Sequence, residues 1–261
     1  MDIRKLQKNW EGLAAKDPMW AVLTNPMKKS KKWDAATFYE SGEYEVEMLL
    51  ALLGKCWLTL PDTHLAVDFG CGLGRLSRGL AARFDRVLGI DISTVMTELA
   101  KEYNKNFTNI GFVAHAKPDL SLMADNKVSF LLSIITLQHI PDPFAIEYVG
   151  EFLRVLKKGG LAIFQIPSQD KRELTAFQKF RKWVRIKERL AMMGIGNGFN
   201  MDMFVISEQE VQAKIANNGG ALLRKFYTNH TVPNYDGKLI ASKEEMLASG
   251  FVSTLYIVQK V

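Results

Sequence analysis

At 261 residues, 48% of them hydrophobic, the chain is long enough for one large α/β domain with an elaboration and a sizeable core. No apolar run is long enough to cross a bilayer, Met1–Lys5 lacks a signal peptide's apolar centre, and Cys56 and Cys71 make no disulfide framework, so a cytoplasmic protein with reduced thiols is expected. The formal charge of +6 resides in one segment, Lys171 to Met193, which holds eight bases and two acids, and this confinement argues against a broad nucleic-acid surface.

Ile3, Leu6, Trp10, Leu13 and Ala14 recur at helical spacing, so the chain is expected to open with an amphipathic helix ending before Asp17-Pro18. Trp20 to Leu23, a solvated lysine cluster from Lys28 to Lys32 and an aromatic stretch from Trp33 to Tyr44 follow, and Glu45 to Trp57 reads as a helix.

The next stretch, Leu65 to Arg75, is an apolar run carrying Asp68 that breaks into glycines at 70, 72 and 74 and then into the stripe Leu73, Leu76, Leu80, Ala81, Phe84. This reads as strand, tight turn and helix, because glycines permit positive φ and remove the side chains that would keep a ligand off the backbone. The helix start then offers free N–H groups to negatively polarised atoms. A second strand ends at Asp91, where a carboxylate can accept both hydroxyls of a ribose.

Ser93 caps the helix that follows, with Val95, Met96, Leu99 and Tyr103 expected inward, and Ile110 to Ala114 fits a third strand. Val128 to Ile134 is a nearly continuous apolar strand of the kind covered on both faces. Its C-terminal end, Ser133 through Pro141, falls where open parallel sheets bind ligands. Asp142-Pro143 starts a helix, Gly159 is expected to end it, and strand five is Leu161 to Ile166. A helix with a basic remainder follows between residues 168 and 200, then a capping box at Ser207 and Glu210, strand six at Ala221–Thr228 and strand seven at Phe251–Val258.

Four motifs in register, D-F-G-C-G-x-G at 68–74, G-I-D-I-S at 89–93, L-Q-H-I-P at 137–141 and L-K-K-G-G-L at 156–161, resemble the class I S-adenosylmethionine-dependent methyltransferases. The resemblance spans roughly Leu65 to Pro167. It implies a Rossmann-like, doubly wound seven-stranded α/β sheet, mostly parallel with an antiparallel last strand. Residues 1–60 would form an N-terminal helical lid, and 61–261 the methyltransferase domain with a helical cap inserted at about 168–200.

The implied cofactor is S-adenosylmethionine, leaving as S-adenosylhomocysteine. Its expected contacts are Asp68, Gly70, Cys71, Gly72, Gly74 and Arg75 at the first turn, Asp91, Ile92 and Ser93 at the second strand, Lys117, Asp119 and Leu120 near the adenine, and Ser133 and Ile134 near the sulfonium. Relatives often carry an acid immediately after strand three, where this chain has His115. His139 is the candidate base for a hydroxyl acceptor, with a structural role for its ring as the alternative. Trp33, Phe38, Tyr39, Tyr44, Gln138, Arg181 and Tyr235 are candidates for the lid or the acceptor site, with core packing as the alternative for the aromatics. The scattered histidines lack metal-ligand spacing, and no metal is expected.

The function expected is methyl transfer to an oxygen or nitrogen of a small molecule, anionic if the basic helix contacts it. Rival readings are an RNA or protein methyltransferase using that helix, a peripheral contact with an anionic membrane, and a non-catalytic binder of the cofactor.

Overall fold

The computed structural model describes residues 3–170, 201–228, 242–248 and 251–261. Its helices are α1 (Ile3–Lys16), α2 (Pro18–Val22), α3 (Ala35–Lys55), α4 (Arg75–Ala81), α5 (Thr94–Tyr103), α6 (Asp142–Val155), α7 (Glu208–Asn217) and α8 (Lys243–Ala248). The strands are β1 (Leu65–Phe69), β2 (Arg86–Asp91), β3 (Ile110–Ala114), β4 (Val128–Ser133), β5 (Leu156–Asp170), β6 (Gly220–Tyr227) and β7 (Phe251–Lys260). They form one sheet in the order β3-β2-β1-β4-β5-β7-β6. Pairings from β3 through β5 are parallel, whereas β7 runs antiparallel to both β5 and β6. This is the expected doubly wound seven-stranded sheet.

Period-two alternation decides which side chains enter which layer. Ala66, Phe130 and Leu132 face Val46, Leu49 and Leu53 of α3 and Leu76 and Leu80 of α4. Val67, Phe69 and Leu131 face Tyr148, Val149 and Phe152 of α6 on the other side. All six strand positions of β4 are buried, as its apolar run requires. Strand order reverses between β1 and β4, and the ends of these strands open the crevice in which the site is built.

Several sequence expectations shift. Helix α3 starts at Ala35, ten residues before Glu45, because Asp34 accepts a hydrogen bond from the Thr37 N–H and caps it. The inward face of α5 is Met96, Thr97 and Ala100, while Val95 and Tyr103 are exposed. Helix α6 ends at Val155, since Leu156 is already extended and pairs with Val128. Gly159 therefore lies in an irregularity of β5, at φ +77°, and is not a helix cap. Pairing with β7 carries β5 on to Asp170, beyond the expected end at Ile166. The basic segment 171–193 lies outside the described residues, and among these no helix is long and apolar enough to cross a membrane.

Candidate active site

The first turn leaves β1 through Gly70 and Gly72, both at positive φ, and hands the chain to α4. A Cβ at Gly70 would stand 2.1 Å from Thr136 Oγ1, and one at Gly72 would stand 2.5 Å from a Val22 methyl. Any side chain at either place would push the β4 loop or the N-terminal cover away from the turn.

Asp68, at the end of β1, is buried and accepts a 2.6 Å bond from Ser77 Oγ. Burial raises its carboxyl to about 6, with the Ser77 bond and the Arg75 charge opposing and Asp91 adding to the rise. Asp91, at the end of β2, accepts the Gly72 N–H at 2.9 Å and the Ser93 N–H at 2.8 Å. Burial raises this carboxyl too, against those backbone bonds. Two buried acids, both raised by burial beside a glycine turn, form a place that a cation and a diol would complete.

Both acids line one cavity of about 930 Å³, its mouth included. Of the residues expected at a cofactor, Asp68, Gly70, Cys71, Gly72, Arg75, Asp91, Ile92 and Ile134 line it, as does His139. The others do not. Gly74 faces Phe112 and Asn104 behind the turn, and Ser93 caps α5 through Met96 N. Ser133 is buried within the sheet. Past β3 the wall is His115, in place of Lys117, Asp119 and Leu120: Asp119 holds His115 Nε2 at 3.0 Å, the Lys117 carbonyl accepts the Tyr148 hydroxyl, and Leu120 is core.

Among the described residues, none of the expected lid aromatics lines the cavity. Phe38 and Tyr39 are buried, with the Tyr39 hydroxyl donating to the Leu73 carbonyl, Trp33 Nε1 donates to the Leu23 carbonyl, and Tyr44 is exposed. The cover comes from further upstream, where Ile3, Leu6 and Trp10 of α1 and Ala21 and Val22 of α2 line the cavity. Periodicity marked the α1 stripe as buried but carried no sign of what it covers. Arg181 and Tyr235 lie outside the described residues.

His139 is buried, with Trp10 edge-on at 5.3 Å. Its Nδ1 is 2.9 Å from the Asp202 carbonyl and its Nε2 is 3.1 Å from Gln138 Nε2. A carbonyl only accepts, so Nδ1 carries the proton and Nε2 accepts from the Gln138 amide. Burial lowers the imidazole's affinity for a second proton, consistent with this neutral ring. With both nitrogens engaged, His139 together with Gln138, whose carbonyl accepts the Phe204 N–H, pins residues 202–204 to the cavity wall. Gln138 itself does not line the cavity.

Arg75 lines the cavity while its guanidinium turns away to Glu45 at 2.5 Å, both groups almost fully buried. Its Nε has no partner among the described residues. Ile135, beside the cavity after β4, holds φ +58°, a conformation costly for a β-branched residue.

Residues 66–160 match the family model described as a methyltransferase domain. This segment, about a third of the chain, is a methyltransferase domain. The chain is 31% identical over 102 residues to a ubiquinone biosynthesis O-methyltransferase of Nitrosomonas europaea, covering 38% of this chain and 41% of that one. It is 28% identical over 146 residues to an S-adenosyl-L-methionine-dependent Diels–Alderase of Talaromyces variabilis, covering 54% and 48% respectively. The chain thus spans less than half the length of each of these curated relatives. Among solved structures, a geranyl diphosphate C-methyltransferase of Streptomyces coelicolor shares the methyltransferase fold at a TM-score of 0.62 and 19% identity, covering 99% of this chain and 98% of that one.

Proposed function

We propose that this protein binds S-adenosylmethionine in the cavity and transfers its methyl group to an oxygen or nitrogen of a small, largely apolar acceptor. The observation that carries the reading is the pair of acids, Asp68 and Asp91, flanking the Gly70–Gly72 turn in one cavity. The cofactor would supply a methyl group made electrophilic by its sulfonium. Asp68 and the glycine backbone would hold the cationic methionine end, Asp91 the ribose, Ile92 the adenine face, and Ile134 the side near sulfur.

Elsewhere the wall carries Ile3, Leu6, Trp10, Ile135 and Ile140, with Thr136, His139, His115 and Tyr148 as polar edges. Such a surface favours an apolar acceptor, and a closed cover excludes water from the transfer. Holding donor and acceptor in line with water excluded provides most of the rate for this kind of displacement, so few catalytic side chains are needed. His139 acts here as a positioning residue, because its Nε2 lone pair is already taken by Gln138.

Calorimetry with S-adenosylhomocysteine against NAD tests the cofactor, and a metabolite pool incubated with methyl-labelled cofactor tests the acceptor. Tight NAD binding alone would overturn the assignment. The Diels–Alderase relative favours one second reading, a cofactor-binding protein that transfers no methyl group. Binding without label transfer to any acceptor would select it.

A further inference from the structure

We propose that Glu11 is the latch of the N-terminal cover, a positioning residue that sets how fast the occupant of the cavity exchanges. Its carboxylate reaches across more than eighty residues of chain to the first turn of α5. There it accepts bonds from Thr94 N–H at 2.7 Å, Val95 N–H at 3.1 Å and Ser93 Oγ at 2.9 Å. The opening N–H groups of a helix have no partner of their own. In α5, Ser93 Oγ accepts the Met96 N–H at 3.1 Å, and Glu11 accepts the two before it. The helix thus has two of these three N–H groups capped by the cover, at the end where its dipole favours an anion.

The latch sits beside the cavity. Ser93, whose hydroxyl donates to Glu11, also donates its N–H to Asp91, which in turn accepts the Gly72 N–H. On the same helix, the adjacent Trp10 and, more than a turn earlier, Leu6 line the cavity, and the Val22 methyl rests on Gly72. Lifting α1 far enough to release a ligand from beneath these residues strips Thr94 and Val95 of their acceptor, so opening carries a defined polar cost. The negative charge of Glu11 also adds to the rise in the Asp91 carboxyl, and a cationic occupant would relieve that repulsion while the latch is closed.

The nature of the occupant rests on the cofactor reading above, whereas the latch itself does not. The test therefore has two arms. Hydrogen–deuterium exchange on ligand-free protein compares wild type, Glu11→Gln and Glu11→Ala, with Glu98→Gln as a control on an exposed face of α5. Stopped-flow measurement of S-adenosylhomocysteine release uses the same proteins.

Peptides from α1 should exchange faster in both Glu11 variants, more so in Glu11→Ala, with α6 and the Glu98→Gln control unchanged. Release should accelerate by about 2- to 30-fold, the range expected for losing a helix cap, while the association rate changes little. Wild-type exchange of α1 in both variants overturns the latch. Faster α1 exchange with unaltered release overturns its control of ligand exchange. If wild type itself fails to bind S-adenosylhomocysteine, the cofactor reading falls, and the exchange arm still judges the latch.

Discussion

Asp68→Asn separates what the site costs from what it does. The replacement keeps the shape of the side chain and an oxygen to accept the Ser77 hydroxyl, and removes a charge from a position that is 1% exposed. In the folded protein the carboxyl is raised to about 6, chiefly by burial. Relative to an ordinary value of about 4, that difference corresponds to at most about 3 kcal/mol between the two protonation states. The folded-state value lies above the unfolded one, so this stability is fully present below about pH 4 and is lost as pH rises through about 6.

At pH 8 the ligand-free wild type carries that cost, and the Asn variant does not. Thermal unfolding at pH 8 should therefore place Asp68→Asn above wild type, by up to about 6–12 °C for a chain of this size. The two should converge towards pH 4. Adding S-adenosylhomocysteine should reverse the order, raising the melting temperature of wild type and leaving the variant nearly unmoved, because its cationic end has lost its counter-charge. An Asn variant that melts below wild type at pH 8, or that keeps wild-type affinity, refutes the reasoning.

Asp91→Ala should weaken S-adenosylhomocysteine binding by about 10- to 100-fold in calorimetry, the loss of charge-assisted bonds to a diol, and should also loosen the turn by freeing the Gly72 N–H. His139→Gln and His139→Ala should lower turnover by less than about 10-fold without removing any limb of the pH–rate profile, since a general base contributes about 100-fold or more. A lost limb would restore His139 as a base. Gly72→Ala should destabilise by about 1–2 kcal/mol from its left-handed backbone alone. Its Cβ must also displace the Val22 methyl, which should reduce ligand affinity. Gly54→Ala, in α3 with open space around it, should stabilise by about 0.5–1 kcal/mol in denaturant titration.

The parts of the site that the sequence made legible are those set by short-range rules. Glycines at 70 and 72 with Asp68 before them, and Asp91 at the end of an apolar run, gave away a strand-end cradle, and the sheet brings those residues to one cavity. The parts that were not legible depend on contacts between distant segments. Trp33, Phe38 and Tyr39 read as a lid because aromatics near a cavity and aromatics in a core look alike along the chain. Only the packing of Phe38 and Tyr39 with Leu73 and Met96 separates the two. His139 looks like a base until the Asp202 carbonyl arrives from sixty-three residues away to fix its proton.

By itself, then, the sequence determined the alternation of strands and helices, the two acids and the turn between them, because periodicity, capping and φ preferences act within a few residues. The tertiary structure decided which helix covers the cavity, which histidine nitrogen holds the proton and where Glu11 finds its donors. Those are set by pairings such as Glu11 with Thr94 and Val22 with Gly72, which only a folded chain brings within bonding distance.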